Sequence, residues 1–269
     1  MFNHYQLHRI FDISLRNTNK IKGKDTYCVT IGANNGTDDD TLSGYIMSFD
    51  WKGLLIEPLP EHVNELKVNY NRQIKQGKIV VAEECISDKE EYVEFGYIPY
   101  ETIKQNNLHP AMKGMSCVLP AQNGFGNDPE SIKIFEQYKQ TTRFYTKTID
   151  TICKEYYIDN IDYVQCDVEG YDLKVLSKFN FIKYKPKIVK FESRNISSEL
   201  DKANDLFEQY NYSVFQLGGD CLAVNNEHLE HLKKNNRWRE VLMLNNASTD
   251  NVPAFFDQDI DTNSYITEI

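Results

Sequence analysis

The sequence lacks long apolar runs and a basic surplus. No segment approaches the roughly 18 apolar residues of a membrane span, and the N-terminus has no signal-peptide core. Glycine and proline are scarce, at 13 and 8 of 269 residues, which excludes collagen-like and low-complexity chains. Lys and Arg number 30 against 40 Asp and Glu, giving a formal charge of -10. We therefore expect a cytoplasmic protein that neither spans a membrane nor binds nucleic acid.

Paired cysteines are also missing. The six cysteines lie far apart and form no C-x-x-C pair, and three of them sit inside apolar runs where thiols behave as small core residues. Neither a zinc site nor a disulfide framework is indicated.

What the sequence does contain is an alternation of short β-rich runs with longer helical patterns. With 41% hydrophobic and 26% charged residues, the composition is that of an ordinary folded protein. The near-continuous apolar runs are typical of strands buried on both faces. The predicted strands are Tyr27–Ile31, Gly53–Ile56, Lys78–Ala82, Ile161–Cys166 and Lys187–Phe191. This order predicts an α/β fold with a doubly wound, mainly parallel sheet.

Helical patterns lie between these strands, and a hairpin follows the last of them. The predicted helices are Asp38–Ser48, Pro60–Gln76, Thr148–Tyr157, Leu173–Phe179 and Ser198–Tyr210. Two apolar runs, Tyr212–Leu217 and Cys221–Val224, flank a Gly-Gly-Asp turn and predict an antiparallel hairpin at one edge of the sheet.

The domain organisation follows from where this alternation starts, breaks and stops. We predict an N-terminal helical extension over 1–25, a main domain over 26–226, and a C-terminal helix with an acidic tail over 227–269. The alternation breaks between Glu90 and Lys147, where EYVEFGYI predicts an extra strand and the rest is rich in Asn, Gly and Pro. We interpret 97–146 as a long irregular insertion that forms a lid over an acceptor site.

The first predicted strand runs into a glycine-bracketed turn that contains Gly32, Ala33, Asn34 and Gly36. Glycines there let the backbone approach a ligand closely, and amides at a helix start can face its polar groups. The spacing is G-x-x-x-G and lacks the third glycine of the dinucleotide fingerprint. The turn alone therefore does not separate a ligand site from a structural turn.

The next two strand ends strengthen the case for a ligand. Glu57 ends the second strand, 21 residues after Gly36, where a carboxylate can accept both hydroxyls of an adenosine ribose. Cys85 and Ile86 follow the third strand, where an adenine ring would pack, because open α/β sheets bind ligands across their carboxyl ends. The alternative for Glu57 is an ordinary surface carboxylate at a strand end.

Three acids follow the fourth predicted strand in the segment DVEGYD. Carboxylates so close together perturb one another's pKa values, and such pairs cluster at functional sites. A helix N-terminus also favours acids. We therefore interpret Asp167 and Glu169 as site residues and Asp172 as charge at the start of a helix.

Together these segments resemble one known family. TIGANNG, GLLIEP, VAEECISDKE, KGMSC, KTIDTICKEYYIDNIDYVQCDVEGYDLKVL and KIVKFES occur in this order over about residues 25–225. They are similar to the FkbM family of S-adenosylmethionine-dependent methyltransferases, and IDYVQCDVEGYD is the most discriminating part.

The resemblance implies a class I methyltransferase sheet of seven strands, with the last strand inserted antiparallel. It also implies S-adenosylmethionine as cofactor and a hydroxyl-bearing acceptor, with a sugar as the favoured class. By analogy, the cofactor contacts are Gly32, Ala33, Asn34, Gly36 and Glu57, and Asp167 with Glu169 lines the methyl-transfer site. Thr30 stands where many members have an acidic residue, so another group, for which Asp167 is the candidate, must contact the methionine amino group.

Two chemical questions stay open at this point. For the general base, Asp167 is the first candidate, and His109, in the insertion, is the second. Gly114, Met115 and Ser116 are expected to shape the acceptor pocket. A magnesium ion held by Asp167, Glu192 and Asn195 is an alternative, but no metal is predicted. His228 and His231 show no third metal ligand.

Two other functions compete with methyl transfer. One is a catalytically silent module that keeps the cofactor as a structural ligand. The other is a nicotinamide-dependent oxidoreductase on a similar sheet, which would need the glycine fingerprint that this sequence lacks.

Overall fold

The structure is a computed structural model that describes residues 4–37, 41–120, 128–192, 200–217 and 219–234. Some residues that the sequence analysis used lie outside these ranges: the predicted acidic tail, Asn195, 38–40 and 198–199 at the starts of two predicted helices, and 121–127 of the predicted insertion. None of the helices within the described ranges is long and apolar enough to cross a membrane.

The described residues form eleven strands. In chain order they are β1 (Tyr27–Ile31), β2 (Lys52–Ile56), β3 (Ile79–Ala82), β4 (Cys85–Ile86), β5 (Tyr92–Tyr97), β6 (Ser116–Val118), β7 (Gln140–Lys147), β8 (Tyr163–Cys166), β9 (Ile188–Glu192), β10 (Tyr212–Leu217) and β11 (Asp220–Asn225).

They also form eleven α-helices. These are α1 (His4–Lys22), α2 (Ser43–Phe49), α3 (Pro60–Asn69), α4 (Asn71–Lys75), α5 (Tyr100–Gln105), α6 (Pro129–Tyr138), α7 (Ile149–Glu155), α8 (Asp172–Leu176), α9 (Phe181–Tyr184), α10 (Leu200–Glu208) and α11 (Asn226–Lys234).

Seven strands build the large sheet in the order β10-β11-β9-β8-β1-β2-β3. The five central and edge strands from β3 to β9 run parallel, and β11 is antiparallel to both of its neighbours. The α/β fold, the mainly parallel sheet and the antiparallel C-terminal hairpin predicted from the sequence are confirmed. The predicted strands agree with the observed ones to within two residues at each end.

Two apolar layers cover the faces of the large sheet, and alternate residues of one strand enter different layers. Val29 and Ile31 of β1 pack with residues of α7 to α10, whereas Cys28 packs with residues of α1, α2 and α11. Because both faces of these strands are buried, nearly every residue in them is apolar, which explains the near-continuous apolar runs in the sequence.

One predicted helix is divided. The pattern over Pro60–Gln76 forms α3 and α4, which meet at Tyr70. The Tyr70 ring is buried, and its hydroxyl donates to the backbone oxygen of Gly36 at 2.9 Å. Tyr70 thus attaches the helical layer to the turn that follows β1.

In its described residues, 91–120 and 128–146, the segment between Glu90 and Lys147 forms strands and helices, contrary to the irregular structure expected from its composition. Its strands β5, β6 and β7 join β4 in a second sheet with the order β4-β7-β5-β6, and α5 and α6 lie in the same segment. A separate apolar cluster stabilises it, formed by Ile98, Ile103, Met115, Cys117 and Phe135. We call this segment the small-sheet insertion.

Candidate functional site

A cavity of about 280 Å³ lies at the carboxyl edge of the large sheet. The ends of β1, β2, β8 and β9 form one side of it, and the small-sheet insertion forms the other. Ligands of open α/β sheets bind at this edge, where the strands end and the connections diverge. The strand ends that carry the predicted site residues therefore border this cavity.

Gly32 fixes the geometry of the turn after β1. Its φ is 75°, and an added Cβ would lie 1.8 Å from the backbone oxygen of Asp167. The Gly32 and Ala33 amides both donate to the carbonyl oxygen of Ile56, at 3.0 and 2.9 Å. The turn is thus held between the ends of β2 and β8, and Gly32, Ala33 and Asn34 line the cavity.

Gly36, the second glycine of the turn, does not line the cavity. Its φ is 77°, and an added Cβ would meet the side chains of Leu66 and Tyr70 at 2.3 and 2.6 Å. Glycine is required at this position because α3 and α4 approach the backbone closely. The structure therefore gives Gly36 a packing role and does not support the expected contact with a cofactor.

Glu57 lies in the cavity wall with only 4% of its surface exposed. Its two carboxylate oxygens accept the backbone amides of Asn34 and Leu59, each at 3.0 Å. Each oxygen can accept a second hydrogen bond. The carboxylate is thus held rigidly and keeps acceptor capacity toward the cavity.

His62 is a cavity residue that the sequence analysis missed. It is buried in the first turn of α3, with Nδ1 3.5 Å from a Glu57 oxygen and its ring centroid 5.3 Å from that of Tyr100 in the insertion. Pro60 predicts that a helix begins three residues after Glu57. A side chain in the first turn of that helix, such as His62, would then be expected to lie close to the end of β2.

Cys85 and Ile86 lie together in the cavity wall, as the predicted adenine contact requires. Both are buried in β4, which pairs with Thr146 and Lys147 of β7 in the second sheet and follows β3 of the large sheet closely in the chain. Burial, helped by the charges of Glu57 and Glu84, raises the pKa of the Cys85 thiol to about 12. At this site Cys85 is an apolar packing residue and not a nucleophile.

Asp167, Glu169 and Glu192 bring three carboxylates together in the cavity wall. One oxygen from each lies within 4.8 Å of the other two. The Asp167 amide donates to the carbonyl oxygen of Ile31 at 2.9 Å, and Glu169 has a positive φ of 51°. We call these three residues the acidic cluster. The sequence predicted Asp167 and Glu169 as site residues and placed Glu192 beside Asp167 as part of the metal alternative; the pairing of β9 with β8 brings the three together.

Asp172 differs from the expectation of a solvated charge at a helix start. It is the first residue of α8, but only 3% of its surface is exposed. Burial first, and then the negative charges of Asp167 and Glu192, raise its pKa well above the usual range. One carboxyl oxygen accepts the Glu192 amide at 3.2 Å.

His109 lies outside the cavity. Its side chain is exposed, and Nδ1 accepts the amide of Ala111 at 3.2 Å at the start of a 3₁₀ turn over Pro110–Gly114. The structure therefore does not support His109 as a base. Gly114, Met115 and Ser116, which follow it, do line the cavity.

Comparisons with known proteins fit this architecture. The model of the methyltransferase FkbM domain matches residues 30–214. A search of curated proteins found no match. An FkbM methyltransferase from Methylobacillus flagellatus is 16% identical with a TM-score of 0.46, and the match covers 75% of this chain and 44% of that protein.

A second solved structure, the N-terminal domain of human METTL16, is 12% identical with a TM-score of 0.40. The match covers 82% of this chain and 68% of that one. Because the family model covers more than half of the sequence, it is decisive. The chain belongs to the FkbM family of methyltransferase domains.

Proposed function

We propose that this methyltransferase moves a methyl group from S-adenosylmethionine to a hydroxyl oxygen of a small-molecule or glycan acceptor, with a sugar as the favoured class. One observation carries the proposal: the Gly32 turn, Glu57 and Asp167, which are far apart in the sequence, converge on a single cavity. At about 280 Å³, that cavity is slightly smaller than the range of about 300–1,000 Å³ that small-molecule sites occupy.

The residues present fit the cofactor. Gly32, Ala33 and Asn34 of the turn line the cavity beside Glu57, and the fixed Glu57 carboxylate suits a ribose diol. Cys85 and Ile86 offer a buried apolar surface for a base. When bound, the cofactor supplies a methyl group that its sulfonium already activates for displacement.

Asp167 is the group that we assign to proton transfer. It is exposed in the cavity wall, and its carboxylate can accept the proton of an acceptor hydroxyl. Glu169 lies beside it and lines the acceptor space. Thr30 is buried and does not line the cavity, so Asp167 is also the candidate contact for the amino group of the cofactor.

The insertion supplies the acceptor wall in this proposal. Met112, Met115 and Val118 give apolar surface, and Ser116 adds a hydroxyl. A sugar ring presents both apolar C–H faces and hydroxyl groups, so such a mixed wall suits it. The transfer requires the acceptor oxygen to be held in line with the methyl group.

Calorimetry with S-adenosylmethionine and S-adenosylhomocysteine tests cofactor binding, and the absence of heat at millimolar cofactor would remove the proposal. Transfer of labelled methyl to a glycan or metabolite extract tests catalysis. Asp167→Asn is expected to lower kcat by about 10²–10⁴-fold, as for other general bases. A chain that binds cofactor but methylates nothing would be the silent module.

His109→Gln is the matched variant for the base. His109 is exposed and outside the cavity lining, so this variant should keep full activity. A loss comparable to that of Asp167→Asn would restore the histidine as the base and contradict our assignment.

A further inference from the structure

We infer that His62 is a positioning residue for Glu57, the carboxylate that we assign to the ribose of the cofactor. Nδ1 of the His62 imidazole carries a proton and donates it to Glu57 Oε1. The role toward the cofactor rests on the proposed function, whereas the contact itself lies within the protein. His62 stands outside every sequence segment that carries the family resemblance, so the structure alone points to it.

The chain places His62 beside Glu57 through a short and stiff connection. Pro58 and Pro60 lie between the end of β2 and the first turn of α3. Each proline fixes its own φ at about −65°. The amide of Leu59, between them, donates to Glu57 Oε1 at 3.0 Å. The first turn of α3, which contains His62, is therefore held against the carboxylate.

Nδ1 of His62 faces the Glu57 carboxylate in a buried environment. The nitrogen lies 3.5 Å from Glu57 Oε1. Only 3% of His62 and 4% of Glu57 is exposed, although both residues line the cavity. Nδ1 itself is buried and forms no hydrogen bond within the described part of the chain. The carboxylate is thus the partner that the structure offers to this nitrogen.

Burial decides which imidazole nitrogen carries the proton. Without a proton on Nδ1, its lone pair and the oxygen of Glu57 would face each other as two unpaired acceptors, which is costly in a buried site. With the proton, the pair becomes a charge-assisted N–H···O contact, and a shift of about 0.5 Å brings it to hydrogen-bond distance. A neutral His62 therefore adopts the Nδ1–H tautomer.

The insertion holds the imidazole in this orientation. The ring centroid of His62 lies 5.3 Å from that of Tyr100, with an angle of 32° between the rings. Tyr100 is itself fixed to α3, because its amide donates to Glu61 and its hydroxyl to Glu65, each at 3.1 Å. His62 thus lies between a fixed ring and a fixed carboxylate.

This contact makes the two oxygens of Glu57 different. Oε1 accepts the Leu59 amide and faces Nδ1 of His62, whereas Oε2 accepts only the Asn34 amide within the described residues. A carboxylate oxygen has about two lone-pair positions, so Oε2 keeps the free one. His62 therefore fixes the carboxylate with Oε2 available to a ribose hydroxyl, as buried partners do when they orient a binding group.

The proton is located by the ¹⁵N chemical shifts of the histidine rings in the full chain without cofactor. We expect Nδ1 of His62 to be protonated, and the signal is assigned by its absence from His62→Asn. A ring protonated on Nε2 alone would overturn the inference.

Two substitutions separate the N–H donor from the ring. His62→Phe keeps an aromatic ring against Tyr100 but has no donor, whereas His62→Asn loses the ring and keeps an amide N–H near the position of Nδ1. In calorimetric titrations with S-adenosylhomocysteine, His62→Phe should bind about tenfold more weakly than the wild type, and His62→Asn should stay within about threefold. An equal or greater loss in His62→Asn would assign the effect to ring packing and overturn the inference.

His62→Leu covers the case in which circular dichroism shows that His62→Phe is unfolded. Leucine has nearly the shape of asparagine without its N–H, so the comparison of these two variants isolates the donor. His62→Leu should show the same tenfold loss as His62→Phe. Binding as tight as that of the wild type in either donor-free variant would overturn the positioning role and leave the proposed function intact.

The wild-type titration distinguishes the two proposals. If the wild type binds no S-adenosylhomocysteine, the proposed function fails, and the role of His62 toward the cofactor fails with it. The Nδ1–H tautomer would still establish the contact between His62 and Glu57 in that case.

Discussion

The large sheet and the small-sheet insertion are buried in different ways. Every residue of β8 and the last four of β1 are buried, whereas β7 exposes Gln140, Thr141, Arg143 and Tyr145. The large sheet has an extensive helical layer on each face, whereas the insertion packs against two small apolar clusters, its own and one that Phe95 and Val118 form with Leu59 and Cys85. The cavity lies between a deeply buried sheet edge, where we propose that the cofactor binds, and a less deeply buried wall, where we propose that the acceptor binds.

The largest expected loss of stability comes from replacing a glycine, and it should differ between the large sheet and the insertion. Gly32→Ala should destabilise the chain by more than about 4 kcal/mol, because the new Cβ would overlap a backbone oxygen at 1.8 Å and the φ is 75°. Gly96→Ala in β5 should cost about 1–3 kcal/mol, because its Cβ meets only the ends of the Phe135 and Leu119 side chains. Urea denaturation measures both.

Gly77→Ala controls for backbone conformation. Gly77 has a φ of 68°, but nothing lies within 4 Å of an added Cβ. This variant should cost about 1–2 kcal/mol, the penalty of the left-handed conformation alone. Equal costs for Gly32→Ala and Gly77→Ala would show that the β8 end can move, and that the turn after β1 is not rigid.

The next largest effect is expected from replacing one buried phenylalanine in each region. Phe191 in β9 is 0% exposed and Phe135 in α6 is 1% exposed. Phe191→Ala should cost about 3–5 kcal/mol of global stability. Phe135→Ala should instead open the insertion locally, so that amides of β5 and β7 exchange faster while those of β1 and β8 do not change.

Hydrogen exchange read by mass spectrometry separates these outcomes. If Phe135→Ala speeds exchange in both sheets equally, the insertion and the large sheet unfold as one unit. The distinction between a rigid edge and a separable wall would then be lost.

Buried His228 makes the large sheet sensitive to mild acid. The His228 ring lies 2.6 Å from Ser14 Oγ, joining α11 to α1, and burial together with the charge of Lys187 lowers its pKa to about 3. Because the folded pKa lies below the unfolded value of 6.5, the unfolded state binds the proton first. Stability should fall by about 2 kcal/mol from pH 6.5 to pH 5.

His228→Gln is the variant that tests this cause. Glutamine can keep a hydrogen bond to Ser14 without titrating, so its stability curve should be flatter between pH 6.5 and pH 5. A wild-type slope that persists in the variant would assign the acid sensitivity to another group.

The strands of the large sheet could be predicted from the sequence more completely than those of the insertion, and the reason is physical. A strand buried on both faces must be apolar at nearly every position, so runs such as Tyr27–Ile31 were found at their observed bounds. Strand β7 has the sequence QTTRFYTK, with apolar groups on one side only, and it was missed. Strand ends follow from the same runs, which is why Glu57 and Asp167 could be placed in the site.

The order of the strands was enough to place Glu192 beside Asp167, because β9 lies next to β8. The burial of Asp172 could not be predicted in this way, because it depends on tertiary packing, in which its carboxyl accepts the Glu192 amide. For Gly36, the sequence showed the need for glycine but not its cause, which is the approach of Tyr70.

The smallest expected effect lies where the two regions meet. Glu65 of α3 accepts hydrogen bonds from the Tyr100 hydroxyl at 3.1 Å and from Lys113 Nζ at 3.3 Å, both in the insertion. Burial opposes ionisation, but hydrogen bonds from Asn35 and Tyr100 and the charge of Lys113 outweigh it and hold the pKa of Glu65 below its usual value of 4.5. This carboxylate stabilises docking above that value and loses the contribution as the pH falls through the lowered pKa.

Glu65→Gln should therefore loosen the insertion slightly at neutral pH and remove its acid response below pH 4.5. The cost should stay under about 1 kcal/mol, because the Glu65 side chain is 37% exposed and water screens its charge. Exchange of the α5 amides measures it, with Glu101→Gln, an exposed acid on α5 itself, as the control. If both variants respond alike, the charge of α5 and not the Glu65 contact governs docking. If only Glu65→Gln responds, acid opens the insertion below pH 4.5, whereas protonation of His228 in the unfolded state destabilises the large sheet already from pH 6.5 downwards. The two regions then differ in the pH at which they lose stability, as they differ in burial.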